Sequence, residues 1–242
     1  MIELTLPRDI RITCRAILFD MDGVLVDSLG LIEEHLRDWA HTHGLNAQEV
    51  IAAAPGRTNA ELIAQFAPWL DVHTEARIML DREITEIDGI RACPGASELL
   101  EQLPATAWAV VTSGHRPVAV NRLKAARLRS PAVLITADDV QAGKPHPQGY
   151  LDAARLLGVA PEDCVIFEDA DAGLAAATAA GIRAIAVVPP AGRGPALPAD
   201  HVVPDLSAVH ATIVDERADQ LLRPQKSPGP NSWTGGSSAR GD

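Results

Sequence analysis

A chain of 242 residues has room for one catalytic-size domain with a smaller unit inserted in it, and it excludes two large domains, since compact domains run to about 100–200 residues. With 47% hydrophobic and 22% charged residues it can bury a substantial core and is not disordered throughout; with four Trp, one Tyr and three Phe, that core must be aliphatic. Lys plus Arg at 21 against Asp plus Glu at 32 leaves a net charge of −11, which excludes broad attraction to nucleic acid or anionic lipid but leaves room for a local phosphate site.

The chain opens with neither a basic n-region nor an apolar h-region, and no stretch approaches the roughly 18 apolar residues of a membrane span. The expected location is the cytoplasm, without membrane contact. Cys14, Cys93 and Cys164 lie far apart with no zinc-ligand or redox spacing, which fits a reducing compartment and a packing role.

In chain order, Ile2, Leu4 and Leu6 alternate, so residues 1–13 read as an added edge strand, with Pro7 arguing against a central one. The first firm strand is Ala16–Phe19. From 29 to 92 there are helical patterns and no convincing strand: 31–43, 47–53, 59–66 and 72–87, broken near Gly44, Pro55-Gly56 and Pro68. An insertion of that size is a second, all-helical unit. Its two connections, near Ser28 and Ala92, come together only if it sits as a lid on one edge of a sheet.

Beyond the insertion, Val- and Ile-rich runs at 108–111, 133–135, 165–167 and 182–188 alternate with helical segments near 96–103, 118–128, 148–157 and 172–180, the last stopped by Gly181. Such alternation implies crossover units and a mainly parallel sheet. The expected division is an α/β core at 1–28 and 93–222, an all-helical unit at 29–92, and a disordered tail at 223–242, where three Pro, four Gly and four Ser fall within twenty residues.

Three of the strands end in a residue able to act on phosphate: Asp20, Thr112 and the pair Glu168-Asp169. In open parallel sheets, ligands bind beyond the carboxyl ends of the strands, so one crevice can collect all three. Asp20 and Asp22 lie two apart where the first strand ends, and Gly23 lets the chain turn away. Asp20 reads as a nucleophile able to form an aspartyl phosphate, and Asp22 as the acid–base partner. Asp20 and Asp169 supply hard oxygen ligands for Mg²⁺, with the Asp22 carbonyl as a third and Glu168 as an indirect one. Thr112-Ser113-Gly114 offers a hydroxyl and free backbone N–H groups at a strand-to-helix turn. Lys144, one of three lysines against eighteen arginines, provides a compact ammonium beside the nucleophile.

Asp20-x-Asp22-Gly-Val-Leu-Val-Asp-Ser, Thr112-Ser-Gly, Gly143-Lys144-Pro and Glu168-Asp169-Ala-x-Ala-Gly173, in this order, resemble the four motifs of the haloacid dehalogenase superfamily. The insertion after the first motif resembles its helical cap of the first type. The resemblance implies a Rossmann-like core, a mobile cap and Mg²⁺-dependent phosphoryl transfer from a small phosphorylated metabolite through Asp20. Within the superfamily, the stretches around Gly56-Arg57-Thr58-Asn59 and 135–147 are similar to sugar-phosphate and glycerol-phosphate phosphatases. One departure is Ala170, where relatives commonly carry Ser, so a supporting hydrogen bond must be made otherwise.

Asp22 argues against dehalogenation, because dehalogenases of the superfamily lack that second aspartate. A cap lysine, used by its phosphonate hydrolases and by beta-phosphoglucomutase, is missing from 29–92. The expected activity is a phosphatase. The alternatives are a phosphomutase, with Arg57 holding a distal phosphate, and a catalytically idle binding protein of the same fold. Arg57 and His115 are each read two ways at this point, as substrate-side residues or as surface residues.

Overall fold

The computed structural model describes residues 1–188, 196 and 198–214. Its centre is a six-stranded parallel sheet built from β3 (Ala16–Phe19), β6 (Trp108–Val111), β7 (Val133–Ile135), β8 (Cys164–Glu168), β9 (Arg183–Val187) and β10 (His201–Val203), in the order β10-β9-β8-β3-β6-β7. Every residue of β3, β6 and β8 is buried, as central parallel strands covered on both faces require.

Period-two alternation divides those strands between two apolar layers. Ile17, Phe19, Val110 and Phe167 face a layer with Leu99 and Leu100 of α5 (Ala96–Glu101) and Ala119 and Leu123 of α6 (Arg116–Ala125). Leu18, Ala109, Val111 and Ile166 face Tyr150 and Ala153 of α7 (Gln148–Leu157) and Leu174 and Ala177 of α8 (Asp171–Ala180). The strands β3, β6 and β7 and the helix α7 fall where the residue pattern places them. Helix α6 begins two residues earlier than its pattern, because Pro117 is tolerated in a first helical turn. Gly181 caps α8 in the left-handed region, φ 68°.

The N-terminal segment differs from the expectation. β1 (Ile2–Leu6) pairs antiparallel with both β2 (Ile10–Cys14) and β11 (His210–Ile213), so it is the central strand of a separate three-stranded sheet, not an edge strand. Pro7 does not prevent this, since it lies just past the strand in a turn where Arg8 and Asp9 take φ of 65° and 59°. Ile2, Leu4 and Leu6 are buried in the main core. Strands β10 (His201–Val203) and β11 do not stand out as patterns, because each opens on a histidine and neither carries an apolar run longer than two residues.

Between β4 (Val26–Asp27) and β5 (Arg91–Ala92) the chain forms only helices: α1 (Leu29–Thr42), α2 (Ala47–Ala53), α3 (Asn59–Phe66) and α4 (Val72–Thr85). They share an apolar cluster of their own around Leu36, Trp39, Val50, Ile63 and Met79. β4 and β5 pair antiparallel as a separate two-stranded sheet, Val26 against Ala92 and Asp27 against Arg91, so the chain leaves for the helical segment and returns from it at one place. Among the described residues no helix is long and apolar enough to cross a membrane. Cys14, Cys93 and Cys164 are free thiols; burial pushes Cys14 and Cys93 up to about 12 and Cys164 up to about 11, which suits packing residues. The expected tail at 223–242 lies outside the described residues.

Candidate active site

The carboxyl ends of β3, β6 and β8 open into a cavity of about 450 Å³. Asp20, Asp22, Thr112, Ser113, Gly114, His115, Lys144, Glu168, Asp169 and Arg57, the residues singled out from the sequence, all line it. Asp20 directly follows β3, and its N–H donates to the Phe167 carbonyl at 2.9 Å, which fixes the strand end against β8. Lys144, reached by the loop after β7, donates to Asp20 Oδ1 and, at 2.5 Å, to Glu168 Oε1.

Glu168 is wholly committed within the protein. Its Oε1 also accepts from Tyr150 Oη at 2.9 Å, and its Oε2 accepts from the N–H groups of Asp169 and Ala170 at 2.9 and 3.0 Å. The absent hydroxyl at Ala170 is thus partly offset by that residue's backbone. Gly173 makes the arrangement possible, since a Cβ there would fall 1.6 Å from Glu168 Oε1. Gly23 does the same for Asp169: its φ is 85°, and a Cβ would meet Asp169 Oδ2 at 2.1 Å.

Oxygens of Asp20, Glu168 and Asp169 lie within 4.8 Å of one another. Burial drives the Asp20 carboxyl up to about 7, with Lys144 pulling against it and Glu168 adding to it. Burial, then the charges of Asp20 and Glu168, likewise hold Asp169 well above the carboxylate range. An all-oxygen cluster whose negative charge is this crowded fits a hard divalent cation such as Mg²⁺. Lys144 is held well above its usual value by Asp20 and Glu168, against the opposing effect of its burial, and so stays charged.

Other groups sit differently from the sequence reading. The Gly114 N–H, expected to be free for an anion, donates to Thr112 Oγ1 at 3.0 Å. Ser113 Oγ donates to the Gly56 carbonyl of the helical insertion at 3.0 Å, so this hydroxyl joins the two parts of the chain. His115 caps α6 and its Nδ1 pairs with Asp138 Oδ1 at 2.6 Å, while the residue still borders the cavity. Arg57 is exposed and donates to Gln65 Oε1.

Sequence reasoning missed several residues. Arg122, 2% exposed, donates through Nη1 to Asp22 Oδ1 at 2.9 Å, and Ser28 Oγ donates to the same oxygen at 2.5 Å. Tyr150 underlies Lys144, with Nζ 5.2 Å from the ring centre; it is the chain's single tyrosine, a signal that could have drawn attention to it. The rest of the far wall, made by Leu29, Ile32, Leu36, Ile51 and Leu62 with Glu33 and Glu83, carries no motif and comes together beside Asn59 only once the insertion is folded.

A crevice of converging carboxylates and a buried lysine at the carboxyl ends of a parallel sheet is the working end of an α/β enzyme. Residues 17–187 match the family model described as haloacid dehalogenase-like hydrolase. The chain belongs to this superfamily, with its Rossmann-like fold, and is a phosphoric monoester hydrolase. It is 44% identical over 183 residues to hexitol phosphatase A of Escherichia coli, covering 74% of this chain and 85% of that one. It is 36% identical over 197 residues to glycerol-1-phosphate phosphohydrolase 1 of Saccharomyces cerevisiae, covering 76% and 77%. Among solved structures, CbbY from Rhodobacter sphaeroides in complex with phosphate superposes with a TM-score of 0.66 at 26% identity, covering 81% of this chain and 96% of that one.

Proposed function

We propose that the protein is a cytoplasmic Mg²⁺-dependent phosphatase that hydrolyses a small sugar or polyol phosphate through an aspartyl-phosphate intermediate. The observation that carries this reading is the convergence of Asp20, Asp169 and Lys144 with Thr112 on one cavity whose far wall comes from the helical insertion. In it, residues 1–28 and 93–222, of which 189–195, 197 and 215–222 lie outside the described residues, are the catalytic core and residues 29–92 are a cap over the reacting group.

An Asp20 carboxylate oxygen attacks phosphorus, and the bond from phosphorus to the ester oxygen breaks. Asp22 gives its proton to the departing alkoxide, then takes one from the water that attacks the acyl phosphate, releasing inorganic phosphate and restoring Asp20. Lys144 and the Thr112 hydroxyl hold the phosphoryl oxygens, and Lys144 opposes the protonation of Asp20 that its burial favours. Asp20, Asp169 and the Asp22 carbonyl would hold Mg²⁺, with Glu168 supporting it indirectly through Lys144 and the backbone. Mg²⁺ bound there would offset the negative charge of the phosphoryl group as it meets the carboxylates. Ser113, Gly114, His115 and Arg57 border the substrate's other end.

A polyol or sugar substrate is supported by the names of the relatives and by the mixed wall of the insertion, where Glu33 and Asn59 offer hydroxyl partners beside aliphatic side chains. The same wall gives the mutase alternative little support, since the insertion brings Glu33 and Glu83 to the cavity with Arg57 as its one cation there and no lysine. The test is a panel of phosphate esters with Mg²⁺, comprising hexitol phosphates, glycerol phosphate, sugar phosphates, phosphoglycolate and nucleotides, ranked by kcat/KM. Release of inorganic phosphate, fastest from a neutral polyol or sugar ester, is the expected outcome. An isomeric phosphate ester as product would establish a mutase, and no turnover of any ester would leave the idle binding protein.

A further inference from the structure

Two adjacent residues of α6 reach from the core into α4 of the insertion. Asn121 Nδ2 donates to the Ile84 carbonyl at 3.0 Å, and Arg122 Nη2 stands 3.7 Å from Glu83 Oε2. Glu83 is in turn held at the start of α3, where Asn59 Nδ2 donates to Glu83 Oε1 at 2.8 Å. On its other side the Arg122 guanidinium donates to Asp22 Oδ1. A consecutive pair on the core thus grips a consecutive pair on the insertion, and one member of that grip also touches Asp22.

Arg122 is buried, yet its Nε–H and Nη2–H groups find no hydrogen-bond acceptor among the described residues. Leaving guanidinium donors unmade in the interior is costly, and the planar fork of arginine favours paired bonds to carboxylates. The Glu83 carboxylate stands at ion-pair distance but outside hydrogen-bond reach. A shift of roughly 1 Å by α4 would bring it within range, because N–H···O bonds fall at about 2.7–3.2 Å.

Asp22 is constrained from the same direction. Its Oδ1 accepts from both Ser28 and Arg122, while Oδ2 has no hydrogen-bond partner among the described residues and is the oxygen left for the ester or for water.

We propose that Arg122 is a positioning residue that couples the seating of the helical insertion to the orientation of Asp22. Glu83 engages the guanidinium as the insertion settles, Asn121 fixes the adjoining backbone of α4, and Arg122 holds Asp22 with Oδ2 turned to the reacting ester. The proposal rests on the assignment of proton transfer to Asp22, and the experiment separates the two.

Steady-state kinetics on the full-length enzyme with Mg²⁺ and sorbitol 6-phosphate are measured for Asp22→Ala, Arg122→Met, Arg122→Lys, Glu83→Gln and the combined Glu83→Gln, Arg122→Met variant, each with its thermal unfolding midpoint. Asp22→Ala tests the underlying assignment: retained turnover would remove Asp22 from proton transfer, whatever Arg122 does. With Asp22 essential, Arg122→Met is expected to lower kcat about 100-fold, in the range set by losing a well-placed acid–base group, with partial recovery in Arg122→Lys. Glu83→Gln, which leaves the reacting groups untouched, is expected to cost about three- to tenfold, the scale of coupling between distant elements. The combined variant should be no slower than Arg122→Met alone, because residues acting as one unit are not additive. A combined loss equal to the product of the single losses, or an Arg122→Met variant that lowers only the unfolding midpoint, would overturn the coupling. Should Arg122→Met not fold, the same comparison made with Arg122→Lys decides it.

Discussion

The floor and the roof of the cavity are built by different means. On the floor, the buried charges interlock: Lys144 between Asp20 and Glu168, Glu168 among Lys144, Tyr150 and two backbone N–H groups. The roof is four short helices around an aliphatic cluster, tied by partly exposed polar pairs such as Glu75 with Trp39 and His43. Charges concentrated in a dry, fixed framework suit chemistry that requires preorganisation. A wall of mostly aliphatic side chains suits choosing among substrates, and away from the contacts that Gly56, Glu83 and Ile84 make with the core it can vary without disturbing the floor.

The sharpest way to break this comparison is Asp20→Asn. It removes the group that joins both the metal cluster and the lysine, so kcat should fall by at least about 10³-fold for every ester on the panel, as loss of a nucleophile does. Circular dichroism should remain native. If instead some esters retained turnover, the floor would not be common to all substrates.

Ile63→Ala probes the roof alone. Ile63 is fully buried in the insertion's own cluster, and truncating such a residue costs about 2–5 kcal/mol. Hydrogen exchange should show lost protection in α1 to α4, with β3, β6 and β8 still protected. Uniform loss across both parts would mean that the insertion is not a separate cooperative unit.

Metal binding should depend on pH through the floor only. The Asp20 carboxyl is pushed up to about 7, so below that value a metal must displace its proton, and the apparent Mg²⁺ affinity should weaken about tenfold per unit as pH falls from 7 toward 5. Because this folded-state value is raised, protonation favours the metal-free fold. That contribution is complete below the ordinary carboxylate value near 4 and is lost as pH rises through about 7. Thermal unfolding with and without Mg²⁺ at pH 5.5 and 8 measures both effects, and the stabilisation by Mg²⁺ should be larger at pH 8. The smallest effect belongs to Arg57, exposed on the roof. Arg57→Ala should raise KM for the preferred ester about three- to tenfold with kcat little changed, and unchanged KM would make it a surface arginine.

What could be read from the residues follows the same division. Asp20, Thr112 and Asp169 announce themselves because each closes a short apolar run, and a parallel sheet delivers the ends of its strands to one side. Lys144 stands out through the rarity of lysine. The β-hairpin character of residues 2–14 was harder to see, since the partner β11 lies some two hundred residues away and Pro7 looks like an obstacle until the turn around it is known. Arg122 was invisible for another reason. It is one of eighteen arginines, in a helix whose polar and apolar residues are scarcely segregated, and only the approach of α4 and the loop after β3 makes it a buried link. Likewise the Gly114 N–H looked free because the rotamer of the neighbouring Thr112 is not written in the order of residues.

The two rungs between β4 and β5 carry a consequence for how such a protein diversifies. Because Val26 and Ala92 are ladder neighbours, the segment between them departs and returns within the spacing of adjacent strands, about 5 Å. Closing a longer or shorter excursion at that neck adds a cost that grows only slowly with length. The neck therefore leaves the length and content of the excursion open to exchange as a cassette, so long as a replacement still meets the core where Gly56, Glu83 and Ile84 do.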